Sequence, residues 1–279
     1  MILRHIRQAL LGLPLALLLA IPAWAEQIYS LAVVPQFSPV DIGIRWTPLL
    51  KRLEQETGFK FQLRMFEKTP AFEADFLRGG PDFIYLNPYH MLMAEKAQGY
   101  LPLVRGAEAL SGILVVDQKG PFKSLDELDG AKLAFPSPNA FGASLYMRAL
   151  LSEKEKLRFT PVYVGTHQNV YRHVLLGEEA GGGGVSATLD REPASVKERL
   201  RVLFQTPGTP SHPLAAHPRV PRAVREQLTR VLIGLSRDPA GVKLLEDVEL
   251  GGAREADFAR DYQPLEKLKL DRYLVVDKK

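Results

Sequence analysis

The chain has 279 residues, 46% hydrophobic and 24% charged, which is enough apolar mass for a full core and excludes a disordered protein. Its formal net charge is +4 with the signs interspersed, so the basic balance is that of a solvated surface and implies no nucleic-acid partner. Cysteine is absent, which removes disulfides, thiolate metal sites and a lipobox thiol for an acyl anchor.

Residues 1–25 read as a secretory signal peptide. Arg4, His5 and Arg7 form a basic head, Ala9 to Ile21 an apolar run, and Ala23-Trp24-Ala25 a small-residue cleavage site. That run is short for a membrane span, and no other segment approaches the length needed. The expected product is an exported protein starting at Glu26, with no stable membrane insertion. Because Arg4 and Arg7 leave with the leader, this product is nearly neutral.

Ile28 to Val34 reads as a buried first strand, ended by Pro35 and Pro39 around Gln36, Phe37 and Ser38. Asp41 to Thr57 follows as an amphipathic helix. Trp46, Leu49, Leu50 and Leu53 share one face, Lys51, Arg52, Glu54 and Glu56 the other, and Gly58 is a fitting stop. Phe59 to Phe66 alternates as a second strand, Ala71 to Leu77 suits a helix, and Pro81 to Leu86 is a third strand running into Asn87-Pro88-Tyr89. Tyr89 to Gln98 is helical and Tyr100 to Arg105 a further strand. Strands alternating with helices imply a mainly parallel sheet covered on both faces. Ligands on such sheets sit at the carboxyl ends of strands, here Pro35–Ser38 and Asn87–Tyr89.

Leu110 to Val116 is a long apolar strand, and a short helix from a Ser124 cap to a Gly130 stop precedes a strand from Lys132 to Phe135. Pro136 and Pro138 exclude regular helix before Asn139, a reasonable N-cap for a helix from about Phe141. With Ala140, Gly142, Ala143 and Ser144 around it, this helix start has the geometry of an anion site, and equally of an ordinary capped loop. Thr160 to Gly165 is a strand leading through Thr166 into a helix that ends at Leu176. The Gly181–Gly184 run abuts a small apolar strand, Val185 to Leu189, and reads as a close approach to another backbone. Arg201 to Gln205 is a strand, and Pro207 to Pro213 a rigid crossing segment. Pro221 to Arg237 and Pro239 to Leu245 are amphipathic helices, followed by a terminal helix and tail. The expected architecture is α/β with two lobes joined by two crossing strands: 26–112 with 207–279 in one lobe, 113–206 in the other, and a ligand cleft between them.

Catalytic patterns such as GxSxG, HExxH or a phosphate loop do not occur, so neither an enzyme nor a cofactor is expected. His167, His173, His212 and His217 lack the spacing of a helical metal pair.

The series VVPQFSP, a Trp-bearing helix ending in ETG, PDFIYLNPYH, FKSLDELDGAKLAF, PSPNAFGASL, VGTHQNVYRHVLLG and AHPRVPRAV resembles one family over essentially the whole mature chain. It is similar to the PhnD-like phosphate/phosphite/phosphonate-binding proteins of ABC importers. The resemblance implies a type II periplasmic binding protein whose two α/β lobes close by hinge motion on a small oxyanion and then dock on an ABC permease at the inner membrane. It also implies that an aromatic after the third strand, Tyr85 or Tyr89, lines the pocket. The anion would meet the turn carrying Ser137, Asn139, Ala140 and Phe141, and His167 would touch the oxyanion. Gln36, Phe37 and Asn87, on the strand-end loops, complete the expected ligand set. Two features depart from the family: its Ser-Thr-Ser turn is missing, and Ala180–Gly184 offers no acid for a ligand amine, so aminoalkyl phosphonates are not expected. Two other readings stay open, a periplasmic sensor for a histidine kinase or chemoreceptor, and a small organic ligand stacked on Phe141 and Tyr89.

Overall fold

The computed structural model describes residues 27–275; the expected leader and the expected start at Glu26 lie outside them. Strand β1 (Ile28–Val33) leads into helix α1 (Pro39–Thr57). The helix begins earlier than its periodicity implies, because Pro39 fills the first position, where no N–H is needed, and Ser38 accepts a hydrogen bond from the Asp41 N–H at 3.2 Å. Gly58, at φ 75, closes it. The buried face is the expected one, Trp46, Leu49, Leu50 and Leu53 together with Ile42. Next come β2 (Lys60–Arg64), α2 (Thr69–Leu77), β3 (Phe83–Tyr85), α3 (Pro88–Gln98) and β4 (Leu101–Arg105).

The middle of the chain supplies β5 (Gly112–Asp117), β6 (Ala131–Phe135), α4 (Tyr146–Glu153), β7 (Phe159–Tyr163), α5 (His167–Leu176), β8 (Gly181–Val185), α6 (Ser186–Asp190), α7 (Ala194–Lys197) and β9 (Leu200–Gln205). A π turn, Phe141–Leu145, runs without a break into α4. The chain then returns through β10 (Pro213–Ala216), α8 (Arg222–Leu235), α9 (Pro239–Asp247) and β11 (Arg254–Glu255).

These strands form two sheets, in the orders β11-β4-β10-β3-β1-β2 and β7-β6-β8-β5-β9. Each is mixed rather than mainly parallel. β1 runs parallel to β2 and β3, but β10 comes back antiparallel between β3 and β4. In the second sheet β6 is parallel to β7 and β8, while β5 opposes β8 and β9. Apart from the short edge strand β11, antiparallel to β4, the strands that break the parallel order are β5 and β10, and with β9 these carry the chain between lobes. Where the two crossings meet, the Leu110 and Thr209 N–H groups each donate to the other's carbonyl, at 2.8 and 3.0 Å. Leu110 therefore belongs to the hinge, and β5 starts at Gly112.

The second sheet is covered on both faces. Leu114, Val116, Leu133 and Phe135 pack on Met147 and Leu151 of α4, and Ile113, Val115 and Ala134 on Val170, Tyr171 and Val174 of α5. This sandwich gives the glycine run the close backbone approach expected of it but changes its place in the secondary structure. Gly181–Gly184 is itself strand, and of the strand expected over Val185–Leu189 only Val185 belongs to it, the rest lying in the helix Ser186–Asp190. A Cβ on Gly183 would stand 2.0 Å from the Ala143 carbonyl oxygen, and one on Gly184 would stand 2.3 Å from the Tyr171 hydroxyl. Only bare backbone fits between those layers.

Smaller expectations also change. The turn before β6 is a single 3₁₀ turn, Asp126–Leu128, without a Ser124 cap; instead the Glu127 carboxylate accepts from the Ser124 N–H at 3.3 Å. The end of the chain is a π turn, Phe258–Tyr262, and two 3₁₀ turns, since Lys269 at φ 50 interrupts any longer helix. Among the described residues no helix is long and apolar enough to cross a membrane.

Candidate functional site

A narrow seam of about 20 Å³ lies between the lobes. Four helix beginnings meet on it: Thr69 opens α2, Asn87 and His90 lie at the cap and first turn of α3, Ala140 to Ala143 open the helix that becomes α4, and His167 opens α5. Each exposes backbone N–H groups without helical partners and the positive end of a dipole. Their convergence favours an anion. Among the described residues no Lys or Arg lines the seam, so the positive potential that the helix mouths supply comes from dipoles and N–H groups rather than fixed charge.

Three buried imidazoles share this seam. His90 Nε2 is 2.9 Å from Glu73 Oε1, and its Nδ1 has no partner. His167 Nδ1 is 3.1 Å from the Thr188 hydroxyl, and burial lowers its pKa to about 4. His212, at the end of the returning crossing segment, makes no hydrogen bond and stacks on Tyr85 at 5.5 Å. Burial brings its pKa to about 3, with His90 and His167 adding to the effect. All three are 5% exposed or less, so two neutral imidazoles, His167 and His212, sit where an anion would lie.

Beyond His212 the seam meets a larger chamber of about 480 Å³, lined by Tyr85, Arg191, Ser211, Glu249 and the small residues Gly106, Ala107, Gly251 and Gly252. The Tyr85 hydroxyl and Glu249 Oε1 are buried there without hydrogen-bond partners. Burial raises the Glu249 carboxyl above its ordinary range, against the pull of Arg191. Glu249 Oε1 faces Arg191 Nε at 3.8 Å, so the chamber wall carries both signs of charge.

Six of the expected ligand residues line the seam: Gln36, Asn87, Ser137, Ala140, Phe141 and His167. Four do not. Tyr85 is held between Trp46, at 4.9 Å, and His212, and reaches only the chamber and a small recess beside it. Phe37 lies under the Arg45 guanidinium, at 4.5 Å, on that recess. Tyr89 packs into the first lobe's core, off both cavities. Asn139 is fully engaged. Its amide nitrogen donates to Glu73 and to the Val275 carbonyl, each at 3.0 Å, and its amide oxygen accepts from the Val275 N–H at 3.1 Å. It does not cap the helix either, since Ala140 holds that position with no side-chain bond. Phe141 is 2% exposed and stacks on Tyr146 at 5.7 Å, so it offers no open face for an organic ligand stacked on Phe141 and Tyr89.

Sequence reasoning misses Glu73, His90 and Thr188 altogether and reads His212 only as a failed metal ligand. A signal existed for His90, which stands three residues after the Asn87 cap, where side chains reach a helix mouth. Nothing local marks Glu73, whose partners come from α3 and from the loop at Asn139.

Two α/β lobes joined by a pair of hinge strands, with helix mouths converging between them, define a type II periplasmic binding protein. Within that class the chain belongs to the family described as "ABC transporter, phosphonate, periplasmic substrate-binding protein", which matches residues 31–262. That family consists of substrate-binding transport proteins rather than enzymes. Among solved structures, the binding-protein component of an ABC phosphonate transporter from Pseudomonas aeruginosa is similar at 13% identity, over 89% of this chain and 88% of that one, with a TM-score of 0.79. PhnD1 from Prochlorococcus marinus, in complex with methylphosphonate, is similar at 13% identity over 88% and 98%, with a TM-score of 0.79. A Xanthomonas citri protein bound to ATP gives 20% identity over 88% and 98%, with a TM-score of 0.69. Identities this low speak for the fold. No curated protein sequence matches the chain.

Proposed function

We propose that this protein is the periplasmic receptor of an ABC importer for a small phosphorus oxyanion: a phosphonate, phosphite or phosphate-like solute. The observation that carries the reading is the meeting of four helix mouths on one interlobe seam. The oxyanion lies on those N–H groups, with Ser137, Thr69 and the imidazoles at its edges. Its organic substituent extends past His212 into the chamber, which is far larger than a methyl group requires. Both the family's role and the methylphosphonate held by the Prochlorococcus marinus relative support this reading. The seam as it stands has room for about one water, so the solute enters only when the lobes part about the Leu110–Thr209 hinge. The closed form then docks on the inner-membrane permease, and the leader at residues 1–25 delivers the chain to the periplasm.

Thermal unfolding against phosphate, phosphite, methylphosphonate, larger phosphonates, sulfate and carboxylates tests the proposal. A true ligand at 100 times its dissociation constant stabilises the folded form by about 2.7 kcal/mol. Stabilisation by a phosphorus oxyanion is the expected result. Stabilisation by carboxylates alone, or by nothing in the panel, overturns it.

A further inference from the structure

The hydrogen bonds behind His167 fix which of its nitrogens carries hydrogen. The Thr188 hydroxyl donates to the Val185 carbonyl at 2.9 Å, and a hydroxyl has one hydrogen to give. The other arrangement, with Tyr171 on the Val185 carbonyl at 3.4 Å and Thr188 donating to His167, satisfies fewer bonds, so towards Tyr171, at 2.8 Å, and towards His167 Nδ1, at 3.1 Å, Thr188 accepts. Nδ1 thus bears the hydrogen of the neutral ring, and Nε2 is a bare lone pair, the ring's only polar atom without a partner. That lone pair belongs to a residue lining the seam where the helix mouths favour an anion, and lone pair and oxyanion repel each other.

A protonated oxyanion can itself donate to that lone pair, but among the described residues no Lys or Arg lines the seam to supply fixed positive charge against a dianion. Of the neighbouring titratable groups, His90 on α3 is tied to Glu73 of α2 through Nε2, and its Nδ1 is sealed from the cavity surface. His212, on the returning crossing segment, has no hydrogen bond and can turn an N–H to the anion while staying neutral. Tyr171, one turn along α5, is occupied with Thr188. Only His167 gains a needed donor by gaining a proton.

We propose that the seam binds its oxyanion together with one proton, taken up at Nε2 of His167, so that capture is a co-binding of anion and H⁺. The proposal rests on the receptor function above. Because burial keeps His167 neutral in the free protein down to about pH 4, the proton arrives with the anion and not before it.

The test is calorimetric titration of the protein with methylphosphonate at several pH values in cationic buffers (Bis-Tris, imidazole and Tris), which do not compete as oxyanions. The dependence of the heat on buffer ionisation counts the protons taken up. His167→Gln keeps a donor at this place without needing a proton, and Thr188→Val frees His167 to carry its hydrogen on Nε2. A proton kept on methylphosphonate as a P–OH that donates to Nε2 gives the same count, so the ring-nitrogen NMR shifts of His167 in the complex decide where it sits: an imidazolium is expected, and a neutral ring with Nε2 still bare overturns the proposal. The expected result is a wild-type count about one higher than in either variant, and an affinity that falls about tenfold more per pH unit above the free-state pKa. Equal counts with binding intact overturn the proposal and leave the receptor function standing. Absence of heat with methylphosphonate, phosphite and phosphate overturns both.

Discussion

Replacing Gly183 by alanine tests how tightly the bare strand β8 is clamped. The added Cβ would lie 2.0 Å from the Ala143 carbonyl oxygen and 2.7 Å from Phe135 Cδ1. The first obstacle is backbone, in the turn that opens α4, and cannot rotate away as a side chain could. Either β8 or that turn must shift by roughly an ångström to restore an ordinary contact. Overpacking a core costs roughly 1–3 kcal/mol, and a backbone obstacle places Gly183→Ala at the upper end. For a chain of this size each kcal/mol corresponds to about 2–4 °C in Tm, so the variant should melt roughly 6–12 °C lower. The displaced turn carries Ala140 to Ala143 of the seam, so phosphonate affinity measured by calorimetry should fall as well. Thermal and urea unfolding read the first effect. A variant that melts with the parent would refute the account of why this strand lacks side chains.

Gly234 is the opposite case. It lies within α8, and a Cβ added there would meet nothing within 4 Å, so Gly234→Ala should stabilise by about 0.5–1 kcal/mol in urea unfolding. A loss of stability would contradict that open space. Asn139→Ala removes the bonds to Glu73 and Val275 that tie the lobes and the tail together; it should cost about 1–3 kcal/mol and enlarge the ligand-free particle in small-angle scattering. An unchanged radius would show that the lobes close without this link. Stability should also fall on mild acidification. His167 and His212 have pKa values of about 4 and about 3 in the folded protein, against about 6.5 when unfolded, so between these values the unfolded chain binds more protons and each ring can cost up to about 1.4 kcal/mol per pH unit. Urea midpoints should therefore drop from pH 6.5 towards pH 4.5, and less steeply in His212→Gln; a flat profile would mean that the rings are not held neutral. At still lower pH, protonation of Asp82, held below the ordinary carboxylate range despite its burial by Ser30 and Arg219, removes a further contribution as pH falls through its folded value.

Periodicity located the helices and strands from β1 to β4 because their partners are mostly sequence neighbours: the apolar face of α1 reads directly from Trp46, Leu49, Leu50 and Leu53. It misjudged Gly181–Gly184, since a strand without side chains has no period to detect, and its identity depends on α5 and the turn at Phe141–Leu145 on either face. The strand β10 was hidden within a proline-rich crossing, because a run of four residues bonded on both sides by distant strands carries little local pattern. For the site, residues at helix mouths could be placed from caps and prolines, as Asn87 and His167 show. Asn139 could not. Its amide turns away from the seam to the backbone of Val275, and no feature near position 139 announces a partner at the other end of the chain.

The interleaving of β10 between β3 and β4 has a consequence for the order of assembly. All strands of the second sheet come from one continuous stretch, so that lobe can complete itself as soon as β9 is available. The first sheet cannot: β3 and β4 lack the strand that joins them until Pro213–Ala216 arrives from beyond the whole second lobe. Pairing so distant in sequence is slow, because a long loop must close before the contact forms. Insertion of β10 is thus the natural late step of folding, and until it occurs the half-built sheet presents two unpaired edges that a holding chaperone can recognise.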